Sequence, residues 1–125
     1  SIATLLPLYS GAIAAERAEH LAKLLNKRSQ FKASSPVPSV PLDSPYFNAT
    51  KYWQGPTWIN MNWLIIDGLK HYGFKDEAEK LRDKTIKMVE ASGCYEYFSP
   101  LDGSPAGAEN FSWTAALTID LLKQN

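Results

Sequence analysis

The chain has one cysteine, Cys94, among 125 residues, and a single thiol excludes an intramolecular disulfide framework. Two histidines, His20 and His71, together with that cysteine do not reach the ligand number or spacing of a zinc site. No metal and no cofactor is expected. An excess of charge is also missing: Lys and Arg number 13, Asp and Glu 13, and the formal net charge is zero. That removes the long-range field on which binding to nucleic acid or to an anionic membrane depends. No apolar run is long enough to span a bilayer, and no basic segment followed by an apolar stretch opens the chain. The expected location is the cytoplasm, and the expected partner is a neutral small molecule or another protein rather than nucleic acid or membrane. Two Asn-x-Ser/Thr triplets, Asn48-Ala49-Thr50 and Asn110-Phe111-Ser112, are common enough by chance to carry no argument for secretion. The opening residue is Ser1 rather than Met, as in a processed chain or a fragment.

What is present is helical patterning in a length suited to one domain. Residues 1–10 are apolar and interrupted by Pro7, which predicts a packed but irregular entry. Over residues 12–27, Ala14, Ala18, Leu21, Leu24 and Leu25 recur at helical spacing opposite a charged face. Residues 28–56 hold five of the eight prolines and no sustained period, yet carry Phe31, Val37, Tyr46, Phe47 and Trp53. A segment that long and that apolar predicts an ordered loop over one end of the helices. A helix apolar on most sides follows from Pro56 to about Tyr72, stopped by Gly73. Residues 74–92 form an amphipathic helix with a solvated Lys/Glu face, and Ser112 is placed to cap a last, mostly apolar helix to about Lys123. No strand pattern of comparable strength is present. Asp67 and Asp120, on otherwise apolar helices, are read as buried polar anchors in preference to residues on a thin solvated face; His20 and His71 are read as helix-surface residues.

The order amphipathic, buried, amphipathic, buried differs from an up-and-down bundle, in which every helix is amphipathic. It fits outer helices alternating with inner ones. Antiparallel connections then bring two aromatic loops, residues 46–57 and 93–111, to the same end. The second contains Gly93-Cys-Tyr-Glu96-Tyr97-Phe-Ser-Pro100-Leu-Asp102-Gly103, a carboxylate among rings followed by a sharp turn. Apolar ring faces stack on the C–H faces of a pyranose, and a carboxylate beside them is placed for acid–base work on a sugar; the same residues also read as a surface loop whose aromatics plug the end of a helical core.

Three ordered blocks carry a family resemblance: Tyr52-Trp53-Gln54-Gly55-Pro56-Thr57-Trp58-Ile59-Asn60-Met61-Asn62-Trp63, Glu96-Tyr-Phe-Ser-Pro-Leu-Asp-Gly103, and Asn110-Phe-Ser-Trp113-Thr-Ala-Ala116. Together they resemble glycoside hydrolase family 63, which contains processing α-glucosidases and mannosylglycerate-hydrolase-like enzymes. The likeness runs from about Leu5 to Leu122. It implies an all-α catalytic domain, a toroid of six helix pairs that hydrolyses an α-linked sugar with inversion, with Glu96 as general base. Tyr52, Trp53, Trp58, Tyr97 and Trp113 then line the sugar pocket, and Gln54 stands where the family's block carries arginine. The family's general acid, an aspartate, has no matching block here; Asp43, Asp67, Asp102 and Glu109 are the substitutes available. Residues 1–125 are accordingly expected to be a single all-α unit, about a third of a toroid at its C-terminal end, inactive alone. Its partners are expected to be the α-linked sugar of the complete domain and either the missing part of the toroid or a second copy of the chain. The alternatives are a non-catalytic helical assembly and a lectin-like sugar-binding module.

Overall fold

The computed structural model describes residues 1–124 and holds five α-helices among them: α1 (Pro7–Ser10), α2 (Ala15–Leu25), α3 (Ile59–His71), α4 (Lys75–Ser92) and α5 (Ser112–Lys123). None is long and apolar enough to cross a membrane. The centre is α3, which packs against α1, α4 and α5, while α4 also packs against α5. Ile65, Ile66 and Leu69 of α3 meet Leu8, Ala18, Ala78, Leu81 and Leu121 in the main core. A smaller cluster of Ile59, Met88, Val89 and Phe98 lies at the other end of α3. Gly68 lets α1 approach α3, because a Cβ there would stand 2.6 Å from the Leu8 carbonyl carbon.

Several elements differ from the sequence-based expectation. The entry expected to be irregular is helical, a 3₁₀ turn over Ile2–Leu5 leading into α1 with Pro7 at its first position, and Leu5 and Leu8 are fully buried. The helix expected from Pro56 begins at Ile59, because Thr57 is drawn into extended pairing with Phe98 and Pro38. Phe111, not Ser112, is the N-cap of α5: its N–H donates to the Cys94 carbonyl at 2.7 Å, so the helix has already begun at Ser112. Asp67 and Asp120 are exposed rather than buried, although Asp120 does serve as an anchor, accepting from the Trp63 indole Nε1 at 2.7 Å. That bond and a second from Gln124 hold its carboxyl below the usual aspartate range. Of α5, expected to be buried on most faces, Thr114, Thr118 and Leu121 are buried, whereas Trp113, Ile119 and Leu122 are more than half exposed. Short strands also occur: β1 (Tyr97–Phe98) pairs antiparallel with β2 (Pro105–Ala106).

The long segment 28–56 is tied to the N-terminal end of α3. Asn62 is fully buried; its Oδ1 accepts from the Val37 N–H at 2.9 Å and its Nδ2 donates to the Val37 and Trp58 carbonyls. The Thr57 hydroxyl donates to the Pro36 carbonyl, and Ser39 Oγ accepts from the Gly55 N–H. Proline removes donors from this segment, and buried side chains take up the backbone groups that remain.

Candidate active site

The two aromatic loops are joined through backbone. Thr57 and Phe98 exchange both hydrogen bonds, at 2.7 and 3.0 Å, so Pro38, Thr57, β1 and β2 form a small continuous ladder across the N-terminal ends of α3 and α5. On it four rings gather. Trp53 stacks on Trp58 with centroids 4.0 Å apart and planes 4° from parallel; Tyr52 meets Trp58 edge-on at 5.1 Å and Tyr97 at 5.8 Å; Tyr97 lies 5.1 Å from Trp58. Trp58 is enclosed at 2% exposure, and the open ring surface belongs to Tyr52 and Trp53 at 52% and 40%. Such edge-on and stacked pairs are mutually favourable and fix the outward faces in place. The backbone of Tyr52 adopts φ +39°, rare for a residue with a side chain, and its carbonyl accepts from the Trp58 indole N–H at 3.0 Å. Strain of this kind persists where surrounding structure over-determines it, and here the ladder and the stacked rings do so.

Glu96 sits at the edge of this cluster. Its backbone N–H donates to the Ala108 carbonyl and its Oε2 accepts from the Ala108 N–H at 3.0 Å, so one residue holds both its main chain and its carboxylate. Gly107 makes the approach possible. It has φ +76°, and a Cβ there would stand 2.6 Å from Glu96 Oε2 and 2.8 Å from the Tyr97 ring, which places carboxylate and ring side by side above a bare backbone. The carboxylate's remaining lone pairs, including those of Oε1, stay available to a water.

The other carboxylates expected as substitute acids are differently engaged. Asp102 accepts from the N–H and hydroxyl of Ser104, which hold its carboxyl below the usual range and commit it to the turn. Glu109 accepts from the Tyr95 hydroxyl at 3.1 Å, and that bond and charge push the phenol up. Asp43 is exposed, its N–H donating to the Ser29 carbonyl, and Asp67 is exposed along α3. Gln54 is exposed beside the cluster, its carbonyl accepting from the Asn48 N–H. Trp113 pairs with Phe111 at 5.3 Å at the start of α5 rather than with the four gathered rings. Gly107 and Ala108, which hold Glu96, and Asn62, which ties the long loop to α3, are positions that sequence reasoning did not single out. The Asp102-Gly103 pair was the available signal, since Asp-Gly between extended residues marks a hairpin and folds 105–108 back onto 96–98.

Residues 1–114 match the family model described as the mannosylglycerate hydrolase MGH1-like glycoside hydrolase domain. The chain belongs to this family. It is 40% identical to a mannosylglycerate hydrolase of Thermus thermophilus over 91% of its own length and 27% of that protein's. To mannosylglycerate hydrolase MGH2 of Selaginella moellendorffii it is 37% identical, over 94% of its length and 24% of the relative's. Its structure superposes on a glycoside hydrolase family 63 mannosylglycerate hydrolase from Thermus thermophilus, solved with Tris and D-glycerate, with a TM-score of 0.89 at 39% identity, covering 96% of this chain and 29% of the other. The chain thus spans about a quarter of the length of the curated relatives it matches.

Proposed function

We propose that this chain supplies the general-base half of an inverting glycosidase site, as the C-terminal part of an (α/α)6 domain in which residues 1–125 form one unit. The observation that carries the reading is the Glu96 carboxylate, fixed by the Ala108 N–H at 3.0 Å beside the ring of Tyr97, which itself lies 5.8 Å from the exposed ring of Tyr52. In this role Glu96 takes a proton from a water as its oxygen bonds to the anomeric carbon. The bond from that carbon to the leaving oxygen breaks, and an acid from outside this chain protonates the departing group. The two carboxyl groups of such a pair stand roughly 6.5–9.5 Å apart, leaving room for the water. Tyr52 and Trp53 offer ring faces to the sugar, Trp58 and Tyr97 hold them in position, and Gln54 and Trp113 border the pocket. Family membership and the relatives' names favour a hexosyl glycerate as the substrate, acted on in the cytoplasm.

Grafting residues 1–124 in place of their counterpart in the Thermus thermophilus enzyme tests the stereochemistry. An α-linked substrate followed by proton NMR should release the β-anomer of the hexose first; the α-anomer appearing first would sink the proposal.

A further inference from the structure

A cleft of about 550 Å³ lies between the C-terminal end of α2, residues 31–37 and α4, and Glu96 is not among its lining residues. Its floor is hydrocarbon: Phe31, Val37, Leu69 and Leu81 line it and are buried in the fold. Its rim carries Lys32, Lys80, Lys84 and Lys87 against Glu77 and Asp83. In sequence these lysines of α4 read as a plain solvated face. They are exposed, as that reading expects, and with Lys32 they border this cleft. Among the described residues the ion pairs are Lys23 with Glu19 and Arg82 with Asp83, so none of the four rim lysines has a carboxylate partner. The Lys84 ammonium is drawn against the Ala33 carbonyl at 2.9 Å. Burial, and then repulsion from Lys32, hold it below the ordinary lysine range. Lys84 and Lys87 also border an adjoining cleft of about 280 Å³.

Like charges facing one another above buried hydrocarbon are relieved by a ligand with an anionic head and an apolar body: the head makes charge-assisted hydrogen bonds and the body covers the floor. We propose that this cleft binds a small organic anion, a carboxylate or phosphate monoester with a compact apolar body, its head between Lys32 and Lys84 and its body over Phe31, Val37 and Leu81. None of the lining residues belongs to the Glu96 site, and the site stands independently of the glycosidase reading.

The test is an amide NMR titration of the chain with hexyl phosphate and with hexanoate, against inorganic phosphate and hexanol. Saturable shifts at Phe31, Ala33 and Lys84 are expected with one of the two amphiphiles, binding at least about tenfold tighter than either control, because head and body both contribute. The tighter amphiphile identifies the head group. Lys32→Met with Lys84→Met should weaken binding by about tenfold or more, and added salt should weaken it further. Lys51→Met, outside the cleft, should leave it unchanged. If the double variant unfolds, Lys32→Met alone carries the test with a loss of about threefold, since its ammonium makes no hydrogen bond among the described residues. Inorganic phosphate matching hexyl phosphate, hexanol matching either amphiphile, lysine variants binding as before, or no saturation by about 10 mM would each overturn the assignment.

Discussion

The helices α3 and α5 read alike in sequence, apolar on most faces, and they end in different surroundings. α3 has α1, α4 and α5 about it, with Ile65, Ile66 and Leu69 fully enclosed. α5 packs against α3 and α4 and presents Trp113, Ile119 and Leu122 outward. An apolar face in a sequence reports a requirement for burial without saying which partner meets it. For α3 the partners lie within this chain. For α5 this chain supplies α3 and α4, and Trp113, Ile119 and Leu122 stay exposed.

The largest expected effect separates the two helices directly. Ile65→Ala should cost about 2–5 kcal/mol in urea unfolding, the range for emptying an enclosed core position, whereas Ile119→Ala should change stability by no more than about 0.5 kcal/mol. Equal losses would erase the distinction. Next comes association: contiguous apolar surface such as the open face of α5 marks an interface, and sedimentation should show concentration-dependent oligomers. Ile119→Lys with Leu122→Lys should raise the dissociation constant at least about tenfold, some 1.4 kcal/mol. A wild-type chain that stays monomeric at high concentration would count against the interface.

The smallest effect concerns the tie between the helices. The Trp63 indole N–H, then Gln124, depress the Asp120 carboxyl in the fold. A depressed carboxyl contributes stability above the ordinary aspartate value of about 3.9 and loses it as pH falls through the lower folded value. Between about pH 5 and 2 the Trp63 indole proton should therefore shift, and unfolding should lose part of its pH slope in Asp120→Asn. A slope unchanged by that substitution would show that Asp120 contributes nothing to it.

Much of this was legible in the chain. The helices announced themselves through period, and the stop at Gly73 and the ring-flanked Glu96 were visible as local features. What was hidden depended on residues distant in sequence. Thr57 leaves the helix because Phe98 offers it a ladder. Asn62 is a buried clasp because the proline-rich segment brings Val37 to it. The hold on Glu96 comes from a backbone N–H twelve residues on, reached across a glycine, and a main-chain donor leaves no mark of its own in residue identity. The depth of Trp58 and the separation of Trp113 from the ring cluster likewise follow from packing rather than from motif spacing.

The central claim is that Glu96 works as the base of a site completed by residues outside this chain. The most direct measurement compares turnover by the chain alone, by the graft into the Thermus thermophilus enzyme, and by the same graft carrying Glu96→Gln. The chain alone should show no measurable hydrolysis. The graft should turn over, and Glu96→Gln should lower its kcat by about 10²- to 10⁴-fold, the usual contribution of a positioned base, with thermal stability retained. A folded Glu96→Gln graft as fast as its parent, or a chain that hydrolyses substrate by itself, would contradict the account.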